Sequence, residues 1–332
     1  MSAQTARIRF ESLRRSPGRR HALVYVTLSL LVVVFGIGSV SFPGFASGQV
    51  ALNLLVDNAY LIVLAVGMTF VILSGGLDLS VGAVVGLTTV TAAALLRAHW
   101  DPTVVILIVL ASGAALGLIV GLVIHFFDLQ PFVATLIAMF FARGLCYVIS
   151  PDSVSISNPF FTTMAQTHIP VGPRLTINPS VIIALIAVAA GFVVLQYTRT
   201  GRTVYAIGNG GESARLMGLP VVRTRILVYA VSGFCAALAG VLFTFYTLSG
   251  YSLTGVGMEL DAIAAVVIGG TVLTGGSGYV LGSVLGVLVL GTVNTIISFN
   301  GTLSSWWTKI IAGALLLLFV LLQRLVIGRA RR

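Results

Sequence analysis

From residue 22 to residue 326 the chain is a succession of apolar stretches separated by short polar gaps, at about 22–41, 51–73, 103–126, 130–150, 180–197, 225–247, 278–299 and 304–326. Each is close to the ~20 residues with which an α-helix crosses a hydrocarbon core. In lipid every backbone N–H and C=O must be satisfied inside the protein, so only helices or a closed barrel can span, and stretches of this length select helices. Charged residues make up 8% of the sequence and hydrophobic ones 58%, whereas a soluble domain carries about 25% charged residues. The expected fold class is all-α, a polytopic integral membrane protein. The apolar run from His21 to Val40 is long enough to span, which favours an uncleaved first helix over a signal peptide.

Two shorter apolar stretches, 78–97 and 260–275, flank Gly-rich breaks: Ser74, Gly75, Gly76, Leu77, Asp78, Leu79, Ser80 in the first and Thr274, Gly275, Gly276, Ser277, Gly278, Tyr279 in the second. Aligned without gaps, 65–87 and 265–287 share Ala65/Ala265, Val66/Val266, Leu73/Leu273, Gly75/Gly275, Gly76/Gly276, Gly82/Gly282, Val84/Val284 and Gly86/Gly286. Paired broken segments in two halves of a chain point to a transporter built on an internal repeat. Counted as spans, the two short stretches give about ten transmembrane helices; read as re-entrant segments, they leave eight. With ten, the two repeats run the same way through the membrane, and a miscounted helix would invert one of them.

Basic residues cluster in three places: Arg7, Arg9, Arg14, Arg15, Arg19 and Arg20; Arg199, Arg202, Arg215, Arg223 and Arg225; Arg324, Arg329, Arg331 and Arg332. All three are expected to be cytoplasmic. The net charge of +10 is then topology and not a nucleic-acid footprint. The expected organisation is a basic cytoplasmic N-terminus at 1–21, a transmembrane domain at 22–326 with a cytoplasmic loop at about 198–224, and a basic cytoplasmic C-terminus at 327–332. The outer loop 151–178, rich in Pro, Ser, Thr and Asn, is a docking surface or a passive connector.

A glycine pair with a carboxylate is costly in lipid and usually lines a path for something polar. The candidate path residues are Ser74, Gly75, Gly76, Asp78, Ser80, Thr274, Gly275 and Gly276, with Asn53 and Asn58 as neutral hydrogen-bonding groups suited to a polyhydroxylated solute. Asp78 is read first as a cap for the next helix and second as a substrate contact. Asp57 and Arg143 fall at equal depth from the outer side, which makes an ion pair possible; separate snorkelling to water is the alternative. Glu259 and Asp261 are expected at a hydrated outer rim. Trp306 and Trp307 serve as interface anchors or, alternatively, stack on a sugar.

The loop at 198–224 reads as a strand or turn, a Gly-rich break and a short helix from about Glu212 to Met217 closed by Gly218. Its candidate residues are Gly201, Arg202, Tyr205, Gly208, Asn209, Glu212, Arg215 and Gly218. The chain has one lysine, Lys309, so a P-loop of the form GxxxxGK[ST] is impossible and any ATP is hydrolysed elsewhere. His21, His99, His125 and His168 form no pair with metal-ligand spacing, Cys146 and Cys235 lie in apolar stretches as core residues, and no catalytic constellation is present. No cofactor and no metal is expected.

Three of these segments resemble the permease subunits of bacterial ABC importers for monosaccharides, of the ribose, xylose and galactose type: Val66 to Gly82, Gly201 to Gly208, and Glu259 to Gly276. The resemblance runs from about residue 40 to 326. Residues 42–47 and 299–310 look more narrowly like galactofuranose-type permeases. The resemblance implies a bacterial inner-membrane location and an assembly with a cytoplasmic ATP-binding subunit, an extracytoplasmic sugar-binding protein and a second permease subunit, identical or different, all within membrane lipid. Gly201 to Gly218 would be the segment resting on the ATPase. The family usually reads Gly-Gly-Asn where this chain has Gly208, Asn209, Gly210, Gly211. The alternatives are a permease for another small solute such as an amino acid, and a stand-alone ion-coupled carrier using Asp57 and Arg143.

Overall fold

The computed structural model describes residues 17–302, 304 and 306–328, of which 17–23 and 324–328 are described by backbone alone. The basic residues before position 17 and beyond position 328, and with them most of the two terminal segments, lie outside the described residues. The helices are α1 (Pro17–Ser41), α2 (Gly48–Asp57), α3 (Ala59–Leu73), α4 (Val81–Arg97), α5 (Pro102–Phe126), α6 (Pro131–Ile149), α7 (Pro159–Gln166), α8 (Pro179–Tyr197), α9 (Arg199–Leu216), α10 (Val221–Thr247), α11 (Met258–Ile268), α12 (Val280–Asn300) and α13 (Trp306–Gly328). The strands are two short antiparallel pairs: β1 (Val154–Ser155) with β4 (Ser249–Gly250), and β2 (Ile169–Gly172) with β3 (Leu175–Ile177).

Local chemistry sets several of the boundaries. Proline opens α5, α6, α7 and α8, where its missing N–H is one the helix could not have used. The Asp101 carboxylate accepts from Thr103 N and Val104 N at 2.8 and 3.3 Å, capping α5, and Ser47 and Asn158 cap α2 and α7 in the same way.

Among the described residues seven helices are long and apolar enough to cross a membrane, and α2 with α3, bent by 56°, adds an eighth if the pair is one span. The directions of the shorter ones follow from their contacts with α10, the central helix. Tyr60 on α3 meets Phe243 edge-on with ring centroids 5.0 Å apart, Gly67 lies against Ser232 and Cys235, and Gly76 lies against Tyr229. α3 therefore runs antiparallel to α10. On α4 the order reverses, because Asp78 meets Ser232 and Thr88 meets Gly240. In the second repeat Ala265 faces Gly286 and Gly269 faces Gly282, while Ser283 and Gly291 of α12 face Thr69 and Asn58.

Thus α3 and α11 descend toward the same end of the bundle and α4 and α12 return from it, as two repeats in the same orientation. With α4 and α11 counted, the described residues make ten traverses. Val24 lies against Gly282 and Gln323 reaches Val267 O and Thr271 O at 3.3 and 3.2 Å, so both described ends of the chain lie at the α9 end. α11 is too short to cross alone; residues 249–257 first carry the chain inward, with Gly250 against Thr89 and Gly255 against Gly82.

The bundle is closed by small residues. On α5, Gly113, Gly117 and Gly121 lie against Gly233, Tyr229 and Ile226 of α10. This spacing of four puts three glycines on one face and lets two backbones approach without side chains between them, the usual device for helix association in lipid, where apolar surface alone gives no drive to associate.

Residues 151–178 are folded. β1 joins β4, α7 carries the buried Phe161 against Phe245 with centroids 5.0 Å apart, and the β2–β3 hairpin is fastened to α2 by Gln49, which donates to Thr176 O (3.1 Å) and accepts from Thr176 N (3.0 Å). The segment is a cap on the end opposite α9.

Candidate functional site

The two Gly-rich breaks meet each other, and both meet α9. Gly276 N donates to Leu73 O at 2.9 Å, joining the second break to the end of α3. Gly75 (φ +81°) and Gly275 (φ +86°) sit backbone to backbone, and Gly208 lies against both Leu73 O and Gly276 N. A Cβ on Gly208 would overlap those two backbone atoms, and one on Gly275 would lie 2.8 Å from Gly75 N and 3.0 Å from the Gly208 Cα. Three segments distant in sequence therefore share one point of contact that admits only glycine.

Side chains of α9 fasten this junction. Asn209 donates through Nδ2 to Tyr205 O at 2.8 Å and to Gly276 O at 3.2 Å, and the Tyr205 hydroxyl donates to Gly278 O at 2.8 Å. Thr198 caps α9 by accepting from Gly201 N at 3.2 Å. The first half of the loop, expected as a strand or turn, is helix. The expected break is present, at Gly210, where the backbone is extended (φ 162°, ψ 96°), and the short second helix ends at Leu216 with Gly218 at φ +75°. Helix wins there because Thr198 supplies a cap and Val204 and Ile207 bury one face. Beyond Gly210 the α9 tip projects outward, with Glu212 and Arg215 exposed, Leu216 90% exposed and Met217 67% exposed.

The candidate path residues divide. Ser74 is half-buried, its hydroxyl donating to Val71 O at 2.8 Å, and Gly75 and Thr274 are exposed at the α9 end. Asp78 is 1% exposed and Ser80 is 5% exposed, so neither faces an open path. One Asp78 oxygen accepts from Ser80 N (2.9 Å) and Ser80 Oγ (2.6 Å), and the other accepts from Ser232 Oγ (2.7 Å). The carboxylate thus ties the first break to α10. Asn58 is buried at the α2–α3 bend, donating to Leu54 O and packed on Gly291, and Asn53 is exposed and bonded to Gln49. Neither asparagine joins the breaks.

The expected Asp57–Arg143 ion pair is not formed. Arg143 instead donates to Ser252 O (2.5 Å) and Thr254 O (2.7 Å), with Gly82 O at 3.5 Å, holding the inward-running segment 249–257 against α4. Asp57 lies at the α2–α3 bend, facing α7, α8 and α10. The two side chains point to different sides of the bundle and lie at different heights along α10: Asp57 is beside Phe245 and Tyr246, whereas Arg143 reaches Gly82 and Gly86 of α4, the helix whose Val85 and Thr88 meet Gly240. Among the described residues the ion pair is Lys309 with Asp261 at 2.6 Å, which fastens α13 to α11. It joins residues far apart in sequence, and the chain's lone lysine was its only signal. Glu259 accepts from Gly257 N at 3.2 Å. Among the described residues no cluster of His, Cys, Asp or Glu could hold a metal ion.

Arg143 leads to a first expectation. Arg143→Ala strands two carbonyls away from water at a cost of about 2–3 kcal/mol. Arg143→Lys recovers less than half of this, because a single ammonium cannot reproduce the guanidinium fork. Thermal melting of the purified protein in detergent measures both.

Residues 50–320 match the family model described as branched-chain amino acid transport system / permease component. The chain belongs to this permease family. The permease is 45% identical over 309 residues to the inner membrane ABC transporter permease protein YjfF of Escherichia coli (strain K12), covering 92% of this chain and 93% of that protein. It is 46% identical to the fructose import permease protein FruG of Bifidobacterium longum (strain NCC 2705), over 92% and 91% of the two chains. It is also 36% identical to the ribose import permease protein RbsC of Escherichia coli (strain K12), over 90% and 92%. No solved structure matches the permease. These relatives bear out the resemblance to sugar-import permeases, and membership gives the chain a transport role with no catalytic one.

Proposed function

We propose that the chain is the membrane subunit of an ATP-driven importer that carries a monosaccharide inward by alternating access. The observation that carries this reading is the meeting of both Gly-rich breaks with α9 at Gly208 and Asn209, in a family whose sugar-permease relatives match over nine-tenths of the chain. A force applied to the exposed α9 tip has a direct mechanical route to the two places where the helices are already broken. The α9 end and both chain ends are cytoplasmic in this reading, which the three arginine clusters support. The terminal segments 1–21 and 327–332 are then basic cytoplasmic flanks of a permease domain at 22–326.

The partners are a cytoplasmic ATP-binding subunit seated on Glu212, Arg215, Leu216 and Met217, an extracytoplasmic sugar-binding protein on the 151–178 cap, and a second permease subunit, identical or different, in the bacterial inner membrane. Arg202 and Gly218 flank the seat. The solute passes Ser74, Gly75, Thr274, Gly275 and Gly276 at the inner end of its path, while Asp78 and Ser80 hold the shape of the break. The printed substrates of the relatives, ribose and fructose, support a monosaccharide over the amino acids of the family description. Galactofuranose is the first candidate, on the sequence likeness of 42–47 and 299–310. The test is uptake into proteoliposomes holding the permease, its ATPase and its binding protein, with galactofuranose, galactopyranose, ribose, fructose and leucine offered in turn. Uptake of one sugar and not of leucine is expected; uptake of leucine alone overturns the sugar reading.

A further inference from the structure

At the end opposite α9, a cleft of about 270 Å³ opens between the α2–α3 bend, α7, the start of α8 and the end of α10. Its walls combine two kinds of group. Tyr60, Phe245 and Tyr246 give aromatic surface, and Asp57, Asn178 and Ser180 give polar atoms. Within the described residues no hydrogen bond uses the Asp57 carboxylate, the hydroxyls of Tyr60, Ser180 and Tyr246, or the side-chain amide of Asn178, which leaves its own helix uncapped. Elsewhere in this bundle polar side chains such as Asp78, Ser232, Thr69 and Ser283 are bonded to backbone or to each other, and the buried hydroxyls of Tyr229 and Thr271, which have no partner, stand singly and not grouped around one cleft. A carboxylate left open at this position is expensive unless the cleft is wet.

We infer that this cleft is a receiving site for the transported monosaccharide, taking the ring as it leaves the binding protein and before it enters the path. The inference rests on the importer reading above. A sugar ring presents hydroxyl donors and acceptors around its edge and an apolar C–H face. Asp57 and Asn178 supply an acceptor and an amide for neighbouring hydroxyls, and Tyr60 and Tyr246 supply rings for the C–H face. Sites for drug-sized ligands run to about 300–1,000 Å³, so this smaller cleft suits a single ring and excludes a disaccharide. The tyrosine rings and the carboxylate would also attract a quaternary ammonium, but the amide and the three hydroxyls offer such a cation nothing it needs. The aromatic faces do not form a closed cage either, because Tyr60 and Tyr246 stand tilted, 6.3 Å apart.

Saturation-transfer NMR on the assembled importer in nanodiscs, with free galactofuranose, ribose, fructose and galactopyranose and no binding protein, tests the site. ATP hydrolysis stimulated by the loaded binding protein is measured on the same sample. The transported sugar is expected to receive saturation from the protein, and Asp57→Asn and Tyr246→Leu each to weaken its binding about tenfold, the loss of one charge-assisted hydrogen bond or one stacking contact. Stimulated hydrolysis accompanied by sugar transfer that is absent, or unchanged in both variants, overturns the cleft and leaves the importer standing. Displacement of the sugar signal by tetramethylammonium at equal concentration identifies a cation site and also overturns it. If no loaded binding protein stimulates hydrolysis, the importer reading fails and the cleft's role with it.

Discussion

Gly208→Ala is expected to abolish uptake while leaving the protein inserted in the membrane. The added methyl would have to occupy the positions of Leu73 O and Gly276 N. Both are backbone atoms in segments held from the other side, Leu73 by α3 and Gly276 by its own hydrogen bond to Leu73 O. Neither can yield as a flexible side chain would, so either α9 lifts off the breaks or the breaks separate. Overpacking of this kind costs about 1–3 kcal/mol, enough to lower the melting temperature. The functional loss is expected to be larger than that figure implies, because in the proposed mechanism the same contact transmits the motion. Gly144→Ala is the matched control. Nothing lies within 4 Å of a Cβ there, and alanine in a helix is favoured over glycine by about 1 kcal/mol. Uptake in proteoliposomes and melting in detergent, measured on both variants, check the pair of expectations.

The second large effect is expected at Asp78. Asp78→Ala removes the acceptor for three donors at once, Ser80 N, Ser80 Oγ and Ser232 Oγ, in a place with 1% exposure. Leaving buried donors unpaired costs about 1–3 kcal/mol each, and the three together are expected to free the first break from α10. Asp78→Asn is the informative partner. Its amide oxygen keeps both bonds to Ser80, and the Ser232 hydroxyl can rotate to accept from the new NH₂. A variant with near wild-type melting for Asn and a strong loss for Ala supports a holding role. Equal losses of transport in both, with melting unchanged, would assign the carboxylate to the solute.

Much of the fold was legible because lipid leaves the backbone few choices. The spans and the pairing of 74–80 with 274–279 followed from length and glycine spacing, whereas the common direction of the repeats hung on a count of ten helices that the arginine clusters did not choose over eight. Arg143 shows where such reasoning stops. Counting residues from an expected helix end gives a nominal depth and no azimuth, and the fold sets Asp57 and Arg143 among different neighbours. Gly208 was singled out for a position in a motif, but its contact with both breaks is carried by an absent side chain, which no pattern of residue types reveals. The cleft was missed for a related reason. Asn178, Ser180 and Tyr246 carry no motif that marks them, and only the fold of 151–178 brings the elements carrying them around Asp57.

The central claim is that α9 passes the work of a separate ATPase to the two glycine breaks, and ATP hydrolysis by the reconstituted complex tests it most directly. The permease is assembled with its ATPase and titrated with sugar-loaded binding protein, as wild type and with Glu212, Arg215 and Leu216 replaced together by alanine. These side chains are exposed, so the permease is expected to fold unchanged. The account predicts hydrolysis stimulated by loaded binding protein in the wild type and no stimulation in the variant. Stimulation that survives in the variant, or sugar uptake with no ATPase present, would contradict it.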